Sequence, residues 1–223
     1  MGINASACCC CEGFYGNKEI THKTTPVFIS CEVINENIIN SLETAKANFL
    51  QLLKNPAENI SIMENCTVSL SESHKGHILK VNFGLAKAPA DFTNFLLSTP
   101  RSKWDTLIET TKVLEENPKY KVIYLKYKSQ VSYSAKEIVI AQKVECKDGM
   151  NLAYFTSVPN ENFLSNNRIE VFEGGYCVEG PVNSEVTMIV HFKIGGNALT
   201  KLMQKLCEKF VPEAVSKIEK FMS

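Results

Sequence analysis

Residues 199–221, LTKLMQKLCEKFVPEAVSKIEKF, carry the clearest pattern in the chain. Leu199, Met203, Leu206, Phe210, Ala214, Ile218 and Phe221 recur every three or four positions and share one broad helical face. Lys201, Lys205, Lys209, Glu213 and Lys220 take the other face. The stripe stays in phase across Pro212, which predicts one long helix with a kink there rather than two helices. Such a helix must lay its apolar face on something.

Upstream, the period changes to two. Strands are expected near 108–117, 120–128, 136–147, 151–158, 167–173, 175–180 and 184–194. Asn117-Pro118, Lys147-Asp148-Gly149 and Gly174-Gly175 read as hairpin turns, and Gly195-Gly196 ends the last strand. Further back, Leu79, Val81, Phe83 and Leu85 alternate with Lys80, Asn82 and Gly84, the mark of a strand with one buried face. A short helix follows from Pro89 through Phe92, Phe95 and Leu96. A first helix opens near Asn37, with Ile38, Leu42, Ala45, Phe49, Leu52 and Leu53 at helical spacing, and Asn55-Pro56 stops it. This order predicts an α+β domain over 37–223: a curved antiparallel sheet whose inner face is covered by the last helix, with a space left between them.

The amino terminus reads differently. Met1-Gly2-Ile3-Asn4-Ala5-Ser6 fits the pattern for N-myristoylation at Gly2, and Cys8, Cys9, Cys10 and Cys11 follow at once as candidate palmitoylation sites. One myristoyl chain binds a membrane marginally, whereas two acyl chains hold. Residues 1–16 are therefore read as an acylation segment. Residues 17–36 are read as a tether, with a short strand near 27–33.

Composition narrows the function classes. The 223 residues hold 24 basic and 24 acidic side chains, so the formal net charge is zero, which argues against the basic face of a nucleic-acid binder. With 44% apolar residues, 11 Gly and 8 Pro, the chain is neither disordered nor collagen-like. It has no apolar run long enough to span a bilayer and no basic start to a secretory signal, so it is expected at the cytoplasmic face of a membrane, held peripherally by its acyl chains. Cys31, Cys66, Cys146, Cys177 and Cys207 are scattered without C-x-x-C spacing and read as reduced, buried residues. His74-x-x-His77 has no cysteine near it, so no metal site is expected. His191 lies among apolar neighbours with no acid at motif distance and reads as structural. No hydrolase, metalloprotease or P-loop motif is present, and an enzyme is not expected.

From about residue 40 to residue 222 the chain resembles the START domain, the lipid-transfer domain related to the steroidogenic acute regulatory protein. Ser102-Lys103-Trp104-Asp105 is similar to the family's Trp-Asp element, and Val113-Leu114 followed by Val122-Ile123-Tyr124 to its paired strands. Ser134-Ala135-Lys136-Glu137-Ile138-Val139 resembles Pro-Arg-Asp-Phe-Val, and Ser157-Val158-Pro159 the Ser-x-Pro turn. Asn167-Arg168-Ile169-Glu170 resembles a Val-Ile-Arg strand, and Gly195-Gly196 and Pro212 keep the spacing around the last helix. Lys136-Glu137 stands where the family has Arg-Asp. Gln142 replaces an inward Arg found in several members, and Leu199 and Lys201 replace a Pro and a Trp.

The resemblance implies a helix-grip (START/Bet v 1-like) fold whose tunnel holds one phospholipid, sterol or ceramide beneath a terminal-helix lid. It implies no cofactor, and a monomer that meets a membrane surface through its acyl chains and last helix. The residues assigned to the tunnel are Tyr124, Ile138, Ile140, Gln142, Arg168, Met203, Leu206 and Phe210. A membrane-anchored lipid sensor or scaffold without transfer activity, and a small-molecule enzyme on the same scaffold, remain as alternatives.

Overall fold

The structure is a computed structural model, and it describes residues 35–55, 60–73, 76–129, 135–147, 150–159, 169–194 and 200–223. The acylation segment, nearly all of the tether, the strand expected near 27–33, Arg168 and Leu199 lie outside the described residues. So does the side chain of Met203.

Helix α1 (Glu36–Lys54) starts where Asn35 caps it, the side chain accepting from the Asn37 amide. Strands β1 (Ile60–Ile62), β2 (Thr67–Ser73) and β3 (Gly76–Leu85) follow, then helices α2 (Pro89–Ser98) and α3 (Arg101–Trp104). Next come β4 (Ile108–Glu116), β5 (Lys121–Tyr127), β6 (Lys136–Lys147), β7 (Met150–Ser157), β8 (Ile169–Glu179) and β9 (Ser184–Ile194), and finally α4 (Thr200–Met222), which runs unbroken through Pro212. All these strands join one antiparallel sheet in the order β1-β2-β3-β9-β8-β7-β6-β5-β4.

Both faces of the sheet are buried along its central strands, while the edge strands β1 and β4 are largely exposed. On one face Val81, Phe83, Ile123, Leu125, Ile140 and Val190 pack with α2 and with Val215 and Ile218 of α4. On the other, Val122, Tyr124, Val139, Ala141, Leu152 and Ile189 pack beneath Leu42 and Phe49 of α1. The apolar run Val122-Ile123-Tyr124-Leu125 follows from this, since successive strand residues point to opposite sides and both sides are dry. Salt bridges pin α1 in place: Lys46 to Glu145, and Lys143 to Glu43 at 3.2 Å.

Two expectations are corrected. Strands β1 and β2 add to the expected set, and in β2 Val68 and Leu70 alternate with Ser69 and Ser71 as a strand requires. And Gly174-Gly175 is no hairpin turn, because β8 is a single strand through both residues. The glycines answer to crowding instead. Gly174 has φ +155, and a Cβ there would lie 2.0 Å from the Ile189 carbonyl oxygen. A Cβ on Gly175 would meet the Ala153 carbonyl oxygen at 2.5 Å and the Phe49 ring of α1 at 3.2 Å. The pair lets β8 bend between its neighbours while α1 lies close. Of the scattered cysteines, Cys66, Cys177 and Cys207 are buried as expected, but Cys146 is exposed.

Gly174→Ala is expected to destabilise the domain by about 2–3 kcal/mol, through strained backbone and a displaced β9 carbonyl. A urea unfolding series checks it: the midpoint falls with the slope unchanged.

Candidate functional site

Between α4 and the sheet lies a cavity of about 160 Å³. The sheet contributes Val81, Phe83, Phe172, Met188, Val190 and Phe192, and α4 contributes Leu206, Phe210, Ala214, Val215 and Ile218. A second, smaller hollow of about 90 Å³ lies between the α2–α3 corner and strands β4 to β7, with Leu96, Val113, Ile123, Gln142, Val144 and Phe155 among its walls. Arg101, Trp104 and Tyr176 belong to both cavities and form the partition between them.

That partition is the polar part of an otherwise greasy interior. The short helix α3 begins on Pro100 and sets Arg101 and Trp104 three residues apart, so both turn inward. The Arg101 guanidinium lies 5.4 Å from the Trp104 ring and 5.7 Å from the Phe155 ring. It pairs with Asp105 at 3.5 Å. Burial opposes the charge on Arg101, but Tyr176, Tyr127 and Asp105 outweigh burial and raise its pKa. Burial pushes the Asp105 carboxyl above its ordinary range despite Arg101 and a hydrogen bond from the Leu107 amide. Burial likewise raises the Tyr176 hydroxyl. Arg101 Nε, Trp104 Nε1 and the Tyr176 hydroxyl are buried and have no hydrogen-bond partner among the described residues. The Cys207 thiol, on the cavity side of α4, is pushed up to about 12 by burial first and by Glu208 second, so it stays protonated and unreactive.

The residues expected in the tunnel fare differently. Leu206 and Phe210 line the main cavity. Ile138 and Ile140 lie on the cavity side of the sheet but in its packed core rather than on the cavity wall. Gln142 lines the smaller hollow, not the larger one. Tyr124 is a correction: it sits on the α1 face with Val122 and Val139, where burial and Glu137 raise its hydroxyl. Period-two parity is the reason, since Ile123 and Leu125 take the cavity side. Sequence analysis missed Arg101 as a buried cation; the only signal for it was a charge four residues before an Asp, on a segment with the lone tryptophan.

His191 also has more company than its sequence neighbours show. Its Nδ1 lies 3.2 Å from Glu173 Oε1 and its Nε2 3.2 Å from Ser73 Oγ, and Asn48 of α1 donates to the same Glu173 oxygen at 3.4 Å. Antiparallel pairing sets Glu173 directly opposite His191. This chain of contacts joins β2, β8, β9 and α1 on the side away from the cavity.

The family model of the START domain matches residues 46–223. No curated protein matches the sequence. Among solved structures, human StAR-related lipid transfer protein 5 superposes with a TM-score of 0.70 at 15% identity, covering 84% of this chain and 97% of that one. A STAR-related lipid transfer protein fragment from Xanthomonas axonopodis gives 0.64 at 16% identity, covering 74% and 99%. The human StarD13 lipid transfer and protein localization domain gives 0.63 at 18% identity, covering 85% and 98%.

If the Arg101–Asp105 pair is one electrostatic unit, Asp105→Asn leaves a buried unpaired cation and costs about 3 kcal/mol, while Arg101→Met/Asp105→Leu costs less than either single change. A denaturant double-mutant cycle measures this, and additive losses would show that the two side chains act independently.

Proposed function

The chain belongs to the START domain family of lipid-binding and lipid-transfer domains, and from that premise we propose that it holds one lipid beneath α4 and exchanges it with membranes by displacing that helix. The observation that carries this is the apolar cavity between α4 and the sheet, with its polar partition at Arg101, Trp104 and Tyr176.

The energetics set the task. Each acyl methylene kept from water is worth about 0.8 kcal/mol, so a chain of about 16 carbons leaves a bilayer only against a barrier of roughly 13 kcal/mol. A dry cavity offsets most of that barrier. At about 30 Å³ per water-sized group, 160 Å³ takes five or six such groups, less than one acyl chain. Loading therefore has to widen the space, and α4 is the wall able to give way.

Besides the buried Val215 and Ile218, α4 is held along one side by polar contacts. Ser61 donates to Glu208 at 2.7 Å, and Asn65 donates to the Pro212 carbonyl at 3.3 Å and to Ser216 at 2.9 Å. Pro212 has no amide hydrogen, so the helix lacks one of its own bonds at mid-length, and its two halves can part there at low cost. Lys205, Lys209 and Lys220 are exposed on α4, where an anionic surface attracts each charge by about 1 kcal/mol. The protein acts as a carrier, with no covalent step. Myristoyl and palmitoyl chains at Gly2 and Cys8 to Cys11 keep it at the cytoplasmic face of the membranes it serves.

Two measurements test this. Donor-to-acceptor liposome transfer by the full chain, with mass spectrometry of the lipid that co-purifies, is expected to show both cargo and movement. Ala214→Trp, which fills the cavity from α4, lowers recovered lipid and transfer at least about fivefold while thermal stability holds. Bound lipid without movement would leave a sensor or scaffold, and a polar metabolite in place of lipid would overturn the carrier reading. Separately, Gly2→Ala is expected to move the protein from the membrane fraction to the soluble fraction of cells, and full retention would remove the anchor from the mechanism.

A further inference from the structure

Given the proposed lipid-binding function, on which this inference rests, the position of the partition narrows the cargo further than the cavity alone. Three buried hydrogen-bonding groups stand between the apolar cavity under α4 and the smaller hollow, where Lys121, Gln142 and Lys143 join Ile123, Val144 and Phe155, not at the closed end of one space. Trp104 and Tyr176 are only 3% and 4% exposed. Trp104 Nε1–H and Arg101 Nε–H donate and cannot accept, and the Tyr176 hydroxyl does either. Leaving such donors buried and unpaired is costly, so the site is built to be completed by an acceptor.

The chemistry around the partition sets the character of that acceptor. Arg101 is already paired with Asp105, so a phosphate at the partition would have to compete with that carboxyl or draw on Lys136, the other cation lining the cavity. The Asp105 carboxylate is engaged by Arg101 and by the Leu107 amide, which leaves little for a ligand that must donate. An amide cargo would bury an N–H for which the Tyr176 hydroxyl is the one acceptor of the three, since Trp104 and Arg101 only donate. An ester carbonyl has two lone pairs and no hydrogen to place. The walls agree with an acyl ester, which carries hydrocarbon on both sides of its carbonyl. On one side of the partition are Val190, Phe192 and Val215, and on the other Ile123, Val144 and Phe155.

We propose that Arg101, Trp104 and Tyr176 form a carbonyl-binding partition that selects an uncharged acyl ester, with one hydrocarbon arm in the cavity under α4 and the other in the hollow behind α3. The contribution of each side chain is positional, and the ester is bound without being cleaved. Selection works through penalty: an isostere without the carbonyl offers at most the weaker acceptor of an ether oxygen and leaves more of these groups unpaired.

The test presents the full chain with phosphatidylcholine vesicles doped in turn with oleyl oleate, dioleyl ether, N-oleyl oleamide or cholesterol, then re-isolates the protein and quantifies bound lipid by mass spectrometry. Oleyl oleate is expected over dioleyl ether and over the amide by roughly tenfold each. Tyr176→Phe removes a hydroxyl that has no partner among the described residues, so the fold is retained and the ester-to-ether ratio falls severalfold. Ala153→Leu adds volume inside the smaller hollow and lowers ester recovery relative to cholesterol. Equal recovery of ester and ether, a matching or better amide, or a Tyr176→Phe ratio equal to that of the unaltered chain would overturn the proposal. Recovery of phosphatidylcholine or cholesterol in place of ester would overturn it alone and leave the carrier function standing. Recovery of no lipid at all would remove both.

Discussion

The central strands of the sheet are buried on both faces, so the sheet needs two covers, α1 on one side and α4 on the other. Helix α1 is fastened by Leu42, Ala45 and Phe49, each 1% exposed, and by ion pairs from Lys46 and Glu43. The Gly174-Gly175 stretch lets it sit close. Helix α4 spans a hollow, carries a proline at mid-length, and is held from the side by Ser61 and Asn65. Val215 and Ile218 of α4 are buried in the core as well, so on the proposed function α1 forms the fixed cover and α4 the one that gives way. Displacing α4 exposes the inner face while the core between sheet and α1 stays intact.

Much of this division is readable in the sequence where one period dominates. The terminal helix is legible because its stripe runs for six turns, and the strands from β4 to β7 because turn residues bound them. The misreadings occur where one signal has two physical causes. A glycine pair marks a tight turn, and it also marks a strand crossed closely by another backbone, as Ile189 and Phe49 cross β8. The run from Val122 to Leu125 is apolar throughout, so it gives no parity, and Tyr124 falls on the α1 side. His191 gains its acid partner from a neighbouring strand rather than from nearby sequence. The polar partition is the least legible feature, because Trp104 of α3 and Tyr176 of β8 come to line the same cavities only in the folded chain.

On the proposed carrier function, the partition and the hollow also favour a loaded domain. An apolar space left unfilled forgoes packing contacts that a filled core would make. Each unpaired donor at the partition adds to that cost. A lipid that fills the space and meets the donors returns both contributions, so the filled form is the stable one. The empty form has least reason to stay closed, and a carrier needs that asymmetry. On that function, opening at a membrane would expose the apolar face of α4 and the sheet to lipid. Filling the cavity with side chains would make a sturdier domain, and it would remove the difference in stability that drives loading.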